Sequence, residues 1–224
     1  YGDTLVEVKA TIKADDDYHY LGMCGKKIGP GIPVFTGLPK EISPAGLTNL
    51  CAELNTSGAY GMFHILGFTP EAQTEEQAFG GKKPKRIVTI TDEDLEEGRL
   101  ALSCEGDREI EFAMFGCPHF NLDQVRYIAD KLQGKKMKAE MWILVSFHTK
   151  DLADRMGLTD IIESAGGHIV EDTCPDQPCW GHLKGKYGVT ESPKCAYYPK
   201  RRGINFIIRD LDTCIEATLT GRVK

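Results

Sequence analysis

Two hydrophobic periods alternate along this chain. Short runs rich in β-branched and aromatic residues occupy positions 5–12, 32–36, 59–66, 86–90, 110–115, 140–146, 168–172, 186–190 and 204–209, and their length and composition predict strands. Between them apolar residues recur at three- and four-residue spacing, most clearly over 122–132 and 211–220, which predicts amphipathic helices. Further helices are expected over 18–27, 45–55, 92–102 and 150–156, in a short segment capped by Thr159 that ends at Gly166-Gly167, and in a turn over 194–198. Runs such as 59–66, apolar throughout and bounded by Gly58 and Gly67, suit strands buried on both faces.

Strands alternating with helices of this length imply parallel pairing through right-handed crossovers. The expected class is therefore α/β, three-layered, with a mostly parallel sheet, and two lobes are expected at 1–105 and 106–224. No repeat of fixed short period and no low-complexity tract is present. The first strand begins abruptly, which gives the expectation that the chain is the later part of something larger.

Composition narrows the function. The chain has 224 residues, 41% apolar and 27% charged, with a net charge of -6, values ordinary for a globular protein with a sizeable core. An acidic balance with only two small basic clusters, 82–86 and 199–202, argues against nucleic acid as the main partner. No apolar run approaches the ~20 residues that cross a bilayer, and no basic leader opens the sequence, so no membrane association and a cytoplasmic location are expected. Eight cysteines without any Cys-x-x-Cys pair read as thiols or metal ligands from separated positions, not as a disulfide framework or zinc ribbon. A zinc-stabilised structural domain stands as a further reading. Glycine-rich phosphate loops, the Gly-x-Ser-x-Gly elbow and the His-Glu-x-x-His helix are all missing from the sequence, which removes nucleotide use and the commoner hydrolases.

Three of the cysteines share one grammar, in which a strand runs out and a cysteine appears in the turn beyond: Gly116-Cys117-Pro118-His119, Thr173-Cys174-Pro175 and Ser192-Pro193-Lys194-Cys195. In a parallel sheet such turns converge at the carboxyl edge, where ligands bind, so distant thiolates can meet at one iron site. Asn121 with Gln124 makes a cap-and-return pair that starts the next helix. Cys51 and Cys214 fall on amphipathic helices and Cys24 and Cys104 at helix ends, where core packing accounts for them. His64, near the end of the 59–66 strand, and Glu71, in the expected helical turn after it, are placed at the same crevice as Cys117 and His119.

The segments Tyr18-His19-Tyr20-Leu21-Gly22, Gly37-Leu38-Pro39, Phe63-His64-Ile65-Leu66-Gly67-Phe68-Thr69-Pro70-Glu71-Ala72, Phe79-Gly80-Gly81, Thr91-Asp92-Glu93-Asp94-Leu95, Gly116-Cys117-Pro118-His119 and Asp172-Thr173-Cys174 occur in an order and spacing that resembles the aconitase X family. The resemblance runs over essentially the whole chain and implies an aconitase-like fold. It implies that residues 1–224 are the C-terminal portion of the family's catalytic domain or large subunit. It implies a hydro-lyase that removes water from a small hydroxy acid, such as cis-3-hydroxy-L-proline or 5-phosphomevalonate, with iron or an iron–sulfur cluster as the Lewis acid. The implied partners are the N-terminal half of the catalytic domain and a small swivelling-domain subunit.

Residue by residue, the resemblance makes Cys117 and Cys174 metal ligands, with another cysteine expected from the N-terminal half. Cys195 departs from the family pattern; it either completes the site or is a bystander. Glu71 and His119 are the acid–base candidates. His64, Thr69, Thr173, Ser192 and Lys194 are substrate-binding candidates, the last two in a Ser-x-Lys segment suited to a carboxylate or phosphate. The competing reading is a non-catalytic metal-binding or partner-docking subunit, inactive without the missing half and the small domain.

Overall fold

The computed structural model describes residues 1–104 and 106–223, and the chain divides into two compact units, Tyr1–Ala101 and Leu102–Lys224. Glu105, at which the sequence-based lobe boundary falls, lies outside the described residues.

In the first unit the elements run β1 (Thr4–Val8), α1 (Asp15–Met23), α2 (Gly25–Ile28), β2 (Pro33–Thr36), α3 (Pro44–Gly58), β3 (His64–Ile65), α4 (Glu75–Phe79), β4 (Arg86–Ile90) and α5 (Asp92–Leu100). The four strands are parallel and ordered β3-β2-β1-β4. Leu5, Val34, Ala72, Ala78 and Phe79 form one buried cluster of this unit. Helices α1 and α3 cross closely because Gly22 has no side chain; a Cβ there would lie 2.4 Å from the Glu53 Cβ. Beside that crossing the His19 Nδ1 and the Glu53 Oε1 meet at 3.0 Å in the dry interior.

The second unit contains β5 (Arg108–Glu109), β6 (Phe112–Phe120), α6 (Leu122–Leu132), β7 (Glu140–Val145), α7 (Phe147–Arg155), α8 (Leu158–Ala165), β8 (Gly167–Glu171), a 3-10 turn (Pro178–Leu183), β9 (Tyr187–Thr190), α9 (Pro193–Lys200), β10 (Asn205–Ile208), α10 (Leu211–Thr220) and β11 (Arg222–Val223). Its parallel sheet is ordered β10-β9-β6-β7-β8, and only the short β5–β11 ribbon is antiparallel. The pleat divides the side chains. Ala113, Phe115, Met141, Ile143, Val145 and Ile207 join buried residues of α6, α8 and α10 in one core. On the other side Phe112 packs edge-on against Phe206 and Trp142 against Trp180 of the 3-10 turn, so the sheet of this unit is covered on both faces.

The direction of the chain changes at β6. From β6 it winds through β7 to β8, and it then returns to lay β9 and β10 on the opposite side. Such a reversal leaves a crevice at the carboxyl ends of the two diverging strands, here β6 and β9.

Several boundaries depart from those read in the sequence, each for a local reason. The run at 59–66 contributes only His64–Ile65 to the sheet, because Ala59 is the left-handed cap of α3. The segment at 66–72 is a turn, and the next helix waits until Glu75, where Thr74 and Gln77 form a capping box, so Glu71 does not sit in a helical turn. The first strand ends at Val8, four residues early. Helix α7 starts at Phe147, three residues early, because the Ser146 hydroxyl accepts the Thr149 N–H.

The most consequential difference concerns β6. Instead of ending at Phe115 it continues to Phe120, so Cys117 and His119 lie inside the strand's span and not in a turn beyond it. Pairing with β7 runs in register to Phe115 opposite Ile143 and resumes at Phe120 opposite Val145. Residues 116–119 are thus pushed out of the ladder as a bulge, the kind of irregularity that re-aims side chains beside functional sites. Gly116 makes this possible. It sits at φ +90°, and a Cβ there would be 2.1 Å from the Leu144 carbonyl oxygen.

Gly116→Ala therefore combines a left-handed backbone with an impossible approach, and we expect a loss on the order of 3 kcal/mol or more. Gly134→Ala, also at positive φ but with open space around it, should cost about 1 kcal/mol. Urea midpoints for the two variants check this. Equal losses would show that the approach to Leu144 does not constrain β6.

Candidate active site

The bulge of β6 and the segment after β9 are stitched together by one hydroxyl. Ser192 is fully buried; its Oγ donates to the Cys117 carbonyl at 2.5 Å and accepts the Cys195 N–H at 3.2 Å. The second of these bonds is also the N-cap of α9, so a single side chain fixes the backbone of two cysteines across the reversal of the sheet. Just before it, the Thr190 Oγ1 accepts the Ser192 N–H at 3.4 Å and donates to the Glu191 carboxylate at 3.3 Å. Thr190, Glu191 and Ser192 are all buried, a polar group of this size being tolerated inside a core only when it is hydrogen-bonded.

Cys195 lies on the first turn of α9 with no exposure, its Sγ 3.8 Å from the Met114 carbonyl. Burial pushes its thiol well above the usual range, and the nearby charges of Cys117, Glu191 and Cys174 add to the shift. Cys117 itself is 8% exposed.

Cys174 comes from the segment after β8. Asp172 leaves the strand at φ +48°, its N–H on the Val145 carbonyl at 2.9 Å and its carboxylate on the Phe147 N–H at 3.0 Å. This turn swings Thr173 toward the β6 bulge, where the His119 Nε2 meets the Thr173 carbonyl at 2.7 Å. Because a carbonyl only accepts, Nε2 carries a proton here, which leaves Nδ1 as the ring atom not engaged by Thr173. The Asp176 N–H reaches the Cys174 Sγ at 3.5 Å. The Asp176 carboxylate is in turn bracketed by Arg201 and Arg202 beyond α9. The Arg201 guanidinium, seconded by Arg202, holds its carboxyl below the usual carboxylate range despite some desolvation.

The cysteine and histidine turns of the second unit are thus tied pairwise: Ser192 joins the backbone of Cys117 to that of Cys195, His119 joins the β6 bulge to the Thr173 carbonyl next to Cys174, and Lys194 sits half-buried on the first turn of α9. Among these, Thr173 contributes its carbonyl to His119, and the Ser192 hydroxyl bonds to the backbone of Cys117 and Cys195. The remaining candidates belong to the first unit. His64, 9% exposed, lies on the edge strand β3, Thr69 closes its turn on the backbone of Ile65, and Glu71 is exposed.

The thiols present suit iron, whose clusters are held by cysteine, but they do not complete a site. Among the described residues no three His, Cys, Asp or Glu side chains are disposed to hold a metal ion. Cys51, expected in the core, is exposed on α3, and Cys104 is half-buried. Sequence reasoning passed over Glu191, Asp176 and Trp180; the one available signal was an indole in an otherwise polar, proline-rich loop. No helix of the described residues is long and apolar enough to cross a membrane.

Thiol accessibility gives a direct check on this arrangement. Burial pushes Cys24 up to about 12 and Cys195 well up, so at pH 8 both stay protonated and unreactive. Cys179, exposed in the 3-10 turn, should alkylate first, whereas Cys24 and Cys195 should label at least a hundredfold more slowly, on the order of the lost thiolate fraction. Peptide mass spectrometry over a time course reads the order. Early labelling of Cys195 would place it outside the packed cluster described.

Comparison with known proteins gives the chain its family. Residues 2–99 match the aconitase X second domain and residues 110–220 the aconitase X third domain. The phosphomevalonate dehydratase large subunit of Thermococcus kodakarensis is 32% identical over 216 residues, covering 95% of this chain and 54% of that relative. The corresponding large subunit of Methanothermobacter thermautotrophicus is 37% identical over 185 residues, 78% of this chain and 44% of the relative. A cis-3-hydroxy-L-proline dehydratase of Pseudomonas aeruginosa is 29% identical over 231 residues, 97% of this chain and 39% of the relative. The crystal structure of Thermococcus kodakaraensis aconitase X in its holo-form superposes with a TM-score of 0.85 at 31% identity, covering 97% of this chain and 55% of that one. The chain spans about half the length of these archaeal large subunits. With the α/β fold and both domain models matched in order, the chain belongs to the aconitase X family.

Proposed function

We propose that this chain forms part of a hydro-lyase that removes water from a small hydroxy acid. The observation that carries the reading is the junction of the Cys117 and Cys174 turns at the carboxyl edge of the second unit's sheet, made by Ser192 on one side and His119 on the other. The relatives bearing the same domains are dehydratases of phosphomevalonate or cis-3-hydroxy-L-proline, which supports the reaction class and supplies both substrate candidates.

Cys117 and Cys174 are the thiolates that would hold iron or an iron–sulfur cluster, with Cys195, fastened to the Cys117 backbone through Ser192, as a further candidate and other ligands coming from the remainder of the protein. Bound there, the metal would supply a Lewis acid that weakens the bond to the departing hydroxyl. The chain's own residues do the rest. His119, its Nε2–H fixed on Thr173, presents a basic Nδ1 to take up or return a proton beside the substrate carboxylate. Lys194, at the start of α9, is placed to attract a carboxylate or phosphate. Ser192 holds the two cysteine turns at their spacing rather than spending its hydroxyl on substrate. Glu71, His64 and Thr69 are a second group of candidates, contributed by the first unit.

The relatives' designation as large subunits supports a small-subunit partner, and the half-length coverage supports a further segment of catalytic domain. Eight cysteines, none in a disulfide, fit a cytoplasmic protein. A second reading, a partner-docking or metal-storing subunit without turnover, is favoured by the incomplete ligand set among the described residues.

The experiment is anaerobic co-production of this chain with the segments that complete its relatives' length and with a small subunit, and then iron and sulfide loading. Loss of water from 5-phosphomevalonate or cis-3-hydroxy-L-proline is then measured. Cys117→Ser and Cys174→Ser should each strip the iron and lower turnover by about a thousandfold or more, in the range that loss of a catalytic metal ligand produces. His119→Asn, which retains a donor to Thr173, should lower kcat about a hundredfold with iron unchanged. Full turnover in the two serine variants, or an assembled complex that dehydrates neither acid, would leave the docking reading in its place.

A further inference from the structure

The Cys174 loop is fastened by a side chain that the proposed chemistry has not used. Trp180, 3% exposed, donates its Nε1–H to the Cys174 carbonyl at 2.8 Å. The indole is seated edge-on against Trp142 of β7, with centroids 5.1 Å apart, and Trp142 is stacked at 4.3 Å on His168 of β8. These are the only two tryptophans in 224 residues. Trp142 takes part as a ring alone, since its own Nε1 is buried with no hydrogen-bond partner among the described residues. The stack is therefore a rigid platform on the sheet, with one polar handle directed at Cys174.

That handle closes a small circuit. Residues 174–180 leave the sheet edge and return, and the Trp180 bond ties the return to the carbonyl of the cysteine itself. Within the circuit the Gln177 N–H also reaches the Cys174 carbonyl at 3.1 Å, and the Asp176 N–H lies on the Cys174 sulfur. Holding the carbonyl thus holds the peptide that donates to the sulfur. Hydrogen bonds to a ligand sulfur tune the electronics of the metal it holds, and partners of this kind orient ligands.

We infer that Trp180 is a positioning residue for Cys174, acting through the Cys174 carbonyl to keep the Asp176 N–H on the sulfur. The inference rests on the proposed role of Cys174 as a metal ligand. It predicts that removing only the indole donor loosens Cys174 and leaves Cys117 as it was.

The test compares Trp180→Phe, which keeps a ring against Trp142, with Trp180→Ala and the parent, in the full chain and, for the iron arm, in the complex assembled with the segments that complete its relatives' length and with a small subunit. In metal-free protein at pH 10, above the ordinary thiol range so that the thiolate fraction does not limit the rate, Cys174 alkylation in Trp180→Phe should rise about fivefold, the factor that one hydrogen bond supplies, with Cys117 changing less than twofold and Cys179 not at all. In iron-loaded protein the thiolate-to-iron absorption band should move to longer wavelength, since a sulfur relieved of its N–H donor is the better electron donor. An unchanged Cys174 rate in Trp180→Phe overturns the inference, as does a uniform acceleration of Cys117, Cys174 and Cys179. If Trp180→Phe does not fold, Trp142→Phe leaves Trp180 as the sole indole. Its emission should then shift in step with alkylation of Cys174; emission that ignores Cys174 overturns the inference equally. Failure to bind iron at all would sink the metal-site reading while leaving the alkylation arm intact, so the two can be told apart.

Discussion

The hydrogen bonds of the Ser192 hydroxyl are the constraint on which the candidate site depends. They span the point where the sheet of the second unit reverses direction, and they join backbone atoms that are distant in sequence, Cys117 on one strand and Cys195 on the next helix. A buried hydroxyl is a demanding choice for this task. Left without partners it would cost about 1–3 kcal/mol, while its two bonds together return a similar amount. Its energetic contribution is modest and its geometric one large, because only one placement of the two backbone segments satisfies both bonds. Thr190 and Glu191 extend the same logic, with each buried polar atom that is paired narrowing the arrangements available to its neighbours.

The bulge in β6 is the other half of this constraint. A regular parallel strand would send successive side chains to opposite faces, Cys117 toward one packed layer and the next residue toward the other. By leaving the ladder between Phe115 and Phe120 the chain frees four residues from that alternation without giving up the strand, since pairing resumes at Val145. The absence of a side chain at Gly116 lets the bulge press on the Leu144 carbonyl, and Phe115 and Phe120 stack with nearly parallel rings at 6.1 Å beneath it. The departure is thus framed by packing on both sides.

The alternation of apolar and polar residues carried the fold a long way. Helix α6 begins and ends where the sequence places it, and Asn121 and Gln124 exchange the expected pair of bonds at 3.0 Å each; α10 likewise keeps its bounds. Local signals decide such elements, so local reading finds them. The failures share a different cause. Residues 59–66 look like a buried strand, but Ala59 is spent on capping α3, and only tertiary pairing with β2 shows which two residues remain in the sheet. Phe115 looks like a strand end because Gly116 and Pro118 are breakers, and the resumption at Phe120 depends on β7, which no local window contains. The βα grammar expected three cysteines in turns beyond strand ends, whereas Cys117 lies inside the span of β6 and Cys195 on the first turn of α9. Ser192 and Trp180, which hold those cysteines, offered no signal beyond being a serine before a proline and a tryptophan in a loop.

Both units carry the same kind of reversal. In the first, β1 is flanked by β2 and β3 on one side and β4 on the other; in the second, β6 is flanked by β7 and β8 on one side and β9 and β10 on the other. Each therefore opens a crevice beside its first central strand, yet the side-chain bonds that join cysteine-bearing segments to one another are those of the second unit. The difference lies in the turns at the strand ends. In the second unit a cysteine lies in the bulge of β6, another in the segment after β8 and a third on the first turn of the helix after β9, and side-chain bonds tie these segments to one another. In the first unit the turn after β3 is closed on itself by Thr69, and its histidine lies on an edge strand. Sheets of one kind can thus carry different chemistry: bonds between turns fix thiols from distant parts of the sequence, whereas bonds within a turn fix only that turn. Bringing the Cys117, Cys174 and Cys195 segments together requires bonds between those segments, and that is where Ser192 and His119 place them.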